Sequence, residues 1–206
     1  MSFSNYTNLK AAVKSALHRS DLDTAIIDFV TLTEDRLNKR LRLRGMENRV
    51  TASIATEYIA LPDDFLAMRN FQLNSTPRIR LEYATPEYLD SLYPDGDSTG
   101  RPKFYTFVGG EIQLAPIPDG TYTAEMDYYQ KLDLATDTTN WVLENAPRCY
   151  YTGSLMEAYL YIKDEKRASY WEQRFEQAIQ DVERADKGDR FPDFGLQMRA
   201  DTGAPV

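Results

Sequence analysis

The run Asp95-Gly96-Asp97-Ser98-Thr99-Gly100 spaces oxygen donors around a glycine, as a calcium loop does when it wraps a hard cation. The likeness stops at the closing position. The bidentate glutamate that completes such a loop falls on Thr106, and Arg101-Pro102 leads into a strand-like run. A polar loop is expected instead. Carboxylates also stand side by side at Glu34-Asp35, Asp63-Asp64 and Asp164-Glu165, where they could bind magnesium or divide acid and base roles. Adjacent carboxylates on a helix do not face one cation together, and each pair sits beside a helix or turn boundary, so capping and solvation explain them. His18 is the sole histidine, so neither a histidine-bearing metal cluster nor a repeated imidazole base can be assembled within one chain. Cys149, the sole cysteine, lies beside Pro147 and Tyr150 without a partner and reads as a small buried hydrophobe. Val108-Gly109-Gly110-Glu111 lies between strands instead of opening a helix, and the sequence has neither a dinucleotide fingerprint nor a phosphate-cradling loop. No catalytic residue, metal or cofactor is expected, which leaves a binding or structural protein.

Arg36, Lys39, Arg40, Arg42 and Arg44 make the strongest basic cluster of the chain. Two uses fit it: cations near a helix C-terminus that favour the dipole and solvate an outer face, or a contact with an acidic partner or with DNA phosphates. The chain as a whole carries a net charge of −8, from 24 Lys and Arg against 32 Asp and Glu. That balance argues against whole-surface attraction to nucleic acid, so any basic contact is local. With 206 residues, 42% of them hydrophobic, the chain can bury a core. No apolar run approaches the length of a bilayer span and no basic-then-apolar leader opens the sequence. A soluble chain without disulfides, in no contact with membrane, is expected.

The elements that must position these residues follow from periodicity. Leu9, Val13, Ala16 and Leu17 predict a helix over residues 7–18. Ser20 reads as the cap of a second helix whose stripe, Leu22, Ile26, Phe29, Val30, Leu37 and Leu41, continues to Arg44, with Gly45 as a left-handed stop; its length would be roughly 35 Å at about 1.5 Å per residue. From Glu47 the period changes to two, at Val50, Ala52 and Ile54 and again at Ile79, Leu81 and Tyr83, and Thr85-Pro86-Glu87 starts a brief helix. Between Phe104 and Tyr129 the turns at Gly109-Gly110 and Asp119-Gly120 predict two hairpins, with strand ends near Ala115 and Tyr122 because Pro116 and Pro118 cannot donate to a ladder. Residues 131–145 read as a polar connection. Two helical stripes follow, Tyr151 to Ile162 and Trp171 to Ala185, as a helical hairpin. From Asp189 the prolines and glycines end regular helix, yet Phe191, Phe194, Leu196 and Met198 suit a tail that orders by docking, as against a frayed end.

The expected fold is α+β: a helical bundle of N- and C-terminal helices with an inserted small antiparallel β domain and an extended C-terminal tail. The segments are 1–46 for the first helices, 47–145 for the inserted sheet with its short helix, 146–188 for the helical hairpin and 189–206 for the tail.

Glu34-Asp35-Arg36-Leu37-Asn38 leading into Arg44-Gly45-Met46-Glu47, then Leu61-Pro62-Asp63-Asp64-Phe65-Leu66, the run Val108 to Pro116, and Tyr170-Trp171-Glu172-Gln173-Arg174-Phe175, carry a resemblance. In these motifs and in the order of its elements, the chain from about residue 21 to 186 resembles the head-to-tail adaptor (connector) proteins of tailed bacteriophages, of the podovirus type that forms a portal adaptor ring. The resemblance implies a structural virion protein, not an enzyme: a homo-oligomeric ring, usually of twelve copies, beneath the portal protein. Such a ring extends the channel through which genomic DNA passes without sequence-specific binding, and presents a surface to a tail or nozzle protein. It implies a place at the capsid-tail junction after assembly in the host cytoplasm, and a portal-docking role for Phe191, Phe194, Leu196 and Met198. The residues by themselves also leave open a carboxylate-based metal-dependent hydrolase or nuclease, and a cytoplasmic interaction domain unrelated to viruses.

Overall fold

Asn5 opens the first helix by accepting from the amide of Asn8 at 2.9 Å, and Leu9, Val13 and Leu17 then recur on its buried face. This helix, α1 (Tyr6–Leu17), closes on His18 in a left-handed conformation with φ 52°. The computed structural model describes residues 3–190; the docking residues Phe191, Phe194, Leu196 and Met198 lie outside the described residues.

The second helix, α2 (Ala25–Arg40), is 16 residues long, about 24 Å at ~1.5 Å per residue, and so shorter than the expected run to Arg44. Thr24, not Ser20, stands at its N-cap, and Leu41 continues it in an extended conformation. The misreading has a physical cause: Leu41 and Leu43 are both fully buried, but from an extended backbone, so the apolar stripe outlasts the helix. The stop needs no glycine, because the Arg42 guanidinium donates to the carbonyls of Asn38 and Leu41 at 2.6 and 2.5 Å and satisfies them from within. Gly45 lies in a short 3₁₀ turn (Arg44–Met46) without a positive φ. Its role is close approach: a Cβ there would fall 2.2 Å from Trp141 Cδ2.

The chain then runs through β1 (Glu47–Ile54), β2 (Tyr58–Ala60), β3 (Phe65–Leu73), β4 (Ile79–Arg80), β5 (Glu82–Tyr83), α3 (Pro86–Leu92), β6 (Thr99–Gly100), β7 (Phe104–Val108), β8 (Glu111–Ala115), β9 (Ile117–Pro118) and β10 (Tyr122–Gln130). One sheet has the strand order β1-β10-β3-β4, a second β2-β8-β7-β5, and β6 pairs with β9 as a small ribbon. The two larger sheets share a core that includes Ile54, Phe71, Leu73, Ile112, Leu114 and Met126. The expected hairpin over Gly109 and Gly110, with φ 60° and 89°, joins β7 to β8. The second expected hairpin does not form. After Pro116 and Pro118 the chain leaves this sheet, and β10 inserts between β1 and β3 of the other, paired antiparallel to both. Ile79 to Tyr83 likewise divides. Ile79-Arg80 pairs with β3 and Glu82-Tyr83 runs parallel to β7, with buried Leu81 crossing between the sheets.

Residues 131–145 are not a polar connection. Leu132 and Leu134 are buried, and Asn140 caps a short helix, α4 (Trp141–Asn145), that buries Val142 and Leu143. The hairpin of α5 (Pro147–Tyr161) and α6 (Glu165–Arg190) follows, turning at Lys163 with φ 61°, where Asp164 caps α6 through the Arg167 amide at 3.1 Å. Helix α6 continues through Gly188, past the expected break, and at 26 residues overshoots the 15 of α5. Helices from both ends of the chain thus share one apolar core, in which Leu9, Phe29 and Leu37 meet Cys149, Leu155 and Phe175. The architecture is α+β, a helical layer with mainly antiparallel sheets between its two halves, as expected, the short β5–β7 and β6–β9 pairs being parallel.

Candidate functional site

Helix α2 carries most of the basic cluster, and its cations face partners within the chain. Arg36 Nε lies 2.7 Å from Glu157 Oε1 of α5, an ion pair not aligned as a hydrogen bond, in which the Glu157 side chain is only 9% exposed. Arg40 reaches across to α6, 2.5 Å from Glu176 and 3.6 Å from Glu183. Lys39 pairs along its own helix with Asp35 at 2.5 Å. Arg42 closes α2, and the backbone amide of Arg44 donates to Asp186 of α6 at 2.7 Å. The cluster therefore clamps the end of α2 against the helical hairpin. Lys39, 74% exposed, and Arg36, 48% exposed, reach solvent more openly than Arg40 at 38%.

On the opposite side of the same turns, Glu34 and Asn38 are buried. The Asn38 side chain donates to the carbonyl of Leu132 at 2.9 Å and accepts from its amide at 2.8 Å, as a neighbouring strand would. Glu34 accepts from the amide of Leu134 at 2.7 Å and from the Tyr150 hydroxyl at 3.1 Å, and Asn140 donates to that hydroxyl at 2.7 Å. Burial pushes the Glu34 carboxyl above its ordinary value, against the hydrogen bonds that hold its charged form. Burial, and then the charge of Glu34, push the Tyr150 hydroxyl far above the usual phenol range. Glu34 is thus neither a cap nor a solvated acid, as its pairing with Asp35 had suggested. It braces the connection between sheet and helices. Its signal in the sequence is position: Glu34 and Asn38 fall four and eight residues after Val30, within the apolar stripe of α2.

The other candidate groups are used structurally. Asp64 accepts from the Tyr128 hydroxyl at 2.7 Å, which in turn accepts from Asn48 at 3.1 Å, and burial helps push that hydroxyl up to about 12. Cys149 is fully buried, and its thiol is pushed up to about 12 by burial. Residues 95–98 keep to a loop, and Thr99-Gly100 turns into the β6 ribbon. Among the described residues no three His, Cys, Asp or Glu side chains group closely enough to hold a metal ion. No helix among them is long and apolar enough to cross a membrane.

Against this geometry stands the comparison with known families. The model of the SU10 adaptor protein family matches residues 4–199. The chain belongs to that family. No curated protein matches it. Membership makes this adaptor a structural phage protein, in keeping with charged groups that join element to element. The family match extends beyond both ends of the 21–186 resemblance, taking in α1 and, at the other end, Phe191, Phe194, Leu196 and Met198.

Proposed function

We propose that the chain is a head-to-tail adaptor: a ring of identical copies, twelve in number, that attaches beneath the portal protein of a tailed phage. The ring extends the channel for the genomic DNA and offers the attachment surface for a tail or nozzle protein, at the capsid-tail junction of the virion. The observation that carries this reading is the family match over residues 4–199, nearly the whole chain. In this role the helices of residues 1–46 and 146–190, with residues 132–145 packed into their core, act as the bundle that packs side by side around the ring, the sheets of residues 47–131 as the part that projects toward neighbours, and the residues after α6 as the tail that grips the portal. A heterologous contact repeated around an axis closes into such a ring. A net charge of −8 suits a channel wall that lets DNA slide, since a cationic wall would hold it through counterion release. The basic cluster of Arg36, Lys39, Arg40, Arg42 and Arg44 is the contact we assign to a partner or to DNA, with Lys39 and Arg36 its most exposed members on α2. The test is a co-sedimentation of the chain with portal-bearing capsids, with and without residues 191–206. Attachment of the full chain and loss of attachment on removal of those residues are expected; a full chain that fails to attach overturns the adaptor reading, and unchanged attachment of the shortened chain overturns the role of the tail.

A further inference from the structure

Both larger sheets end at the same place. Among the described residues β1 pairs only with β10, and β2 pairs only with β8. Between them lies an apolar groove of about 300 Å³, lined among others by Val50, Ala52, Ile54, Ile59, Leu61 and Met126. Val50 is 37% exposed and Ala52 is exposed as well, although they stand on the same side of β1 as the buried Ile54. Exposed apolar residues along an edge strand are where a further strand adds, its backbone meeting the open edge and alternate side chains filling the trough. A further strand beside β2 would cover the exposed apolar residues of β1.

We propose that the missing strand is the chain's own C-terminal segment, laid into this groove while the subunit is unassembled, with Phe194, Leu196 and Met198 facing inward. Three observations select it. These three large apolar residues recur at every second position, as one face of a strand requires, and no proline interrupts residues 193–204. The chain leaves α6 near the start of β1, because Asp186 holds the amide of Arg44 at 2.7 Å and Glu47 begins the strand three residues later. The reach suffices: 16 residues follow Arg190, up to about 53 Å when extended at ~3.3 Å per residue, against about 26 Å for the eight residues of β1. The proposal concerns the subunit before assembly and stands apart from the portal reading. Where both hold, portal attachment draws the segment out of its own groove.

Cross-linking in the full chain tests this. Ala52→Cys is combined with Leu196→Cys; the native Cys149 is fully buried and does not compete. A short bis-maleimide is expected to join the two new thiols within one chain at high dilution. The yield should be about ten-fold above that of a Leu196→Cys, Ser169→Cys pair placed far back on α6, as an effective concentration fixed by docking demands. Adding Phe194→Asp and Met198→Asp should abolish the difference and speed amide exchange across residues 58–61. Equal yields at 52 and 169, or no cross-link, overturn the proposal. Cross-linking only between chains also overturns it, assigning the groove to a second copy instead. Unchanged exchange in the aspartate variant does the same.

Discussion

Glu34 shows how one side chain can decide whether two parts of a chain stay together. Its carboxylate satisfies a backbone amide and a buried phenol, and each donor left without a partner costs about 1–3 kcal/mol. Glu34→Ala is therefore expected to lower stability by about 2–4 kcal/mol, read from urea unfolding. The same residue sets a pH dependence opposite to that of a salt-bridged acid. Its native value lies above the ordinary 4.5 of the unfolded chain, so between those two values the folded state keeps a proton that the unfolded state has lost. Its contribution to stability then falls as pH rises through that window. Glu34→Gln should remove this slope, seen as flatter urea midpoints from pH 4.5 upward, and an unchanged slope would refute the assignment. Burial of Glu34 and Asn38 departs from the capping and solvation expected of Glu34-Asp35; its only sequence signal is their position within the apolar stripe of α2. What they bond to has no such signal, since Leu132 and Leu134 lie about a hundred residues further along the chain.

At the scale of elements, two contacts join the layers and differ in kind. Where Gly45 meets Trp141 there is no room for a methyl group, and Gly45→Ala is expected to cost about 1–3 kcal/mol by forcing the indole aside. Thermal unfolding followed by tryptophan fluorescence would register both the lower midpoint and a changed environment of Trp141. The ion pairs of Arg40 with Glu176 and Glu183 lie at the surface, and Arg40→Ala should change stability by no more than about 1 kcal/mol. A larger loss in urea unfolding would mean that this clamp, not the apolar core, holds α2 to α6. The elements most legible in the sequence were those whose signals are local: α1, the α5–α6 hairpin and the turn at Gly109-Gly110. Those that failed depended on distant partners. Asp119-Gly120 has hairpin chemistry, but β10 finds two long strands in the other sheet and leaves β8 behind. The expected length of α2 rests on Leu41 and on Gly45 as a stop, and the burial of Leu41 is the same whether the backbone beneath it is helical or extended.

For the whole molecule, the adaptor role predicts that assembly is templated. Contacts that repeat around a ring are individually weak and gain from being held at high local concentration on a portal. The isolated chain should weigh as a monomer by mass photometry and form rings once portal is added; a stable ring without any partner would contradict this. The place of β10 has a further consequence, for the order in which the molecule can be made. Because β10 lies between β1 and β3, neither long strand has its main neighbour until residues 122–130 leave the ribosome, and the helical layer waits longer still for α5 and α6. The nascent chain must therefore carry open strand edges and half of an apolar core through most of its synthesis, a high-contact-order route on which chaperones matter more than for a chain of consecutive hairpins.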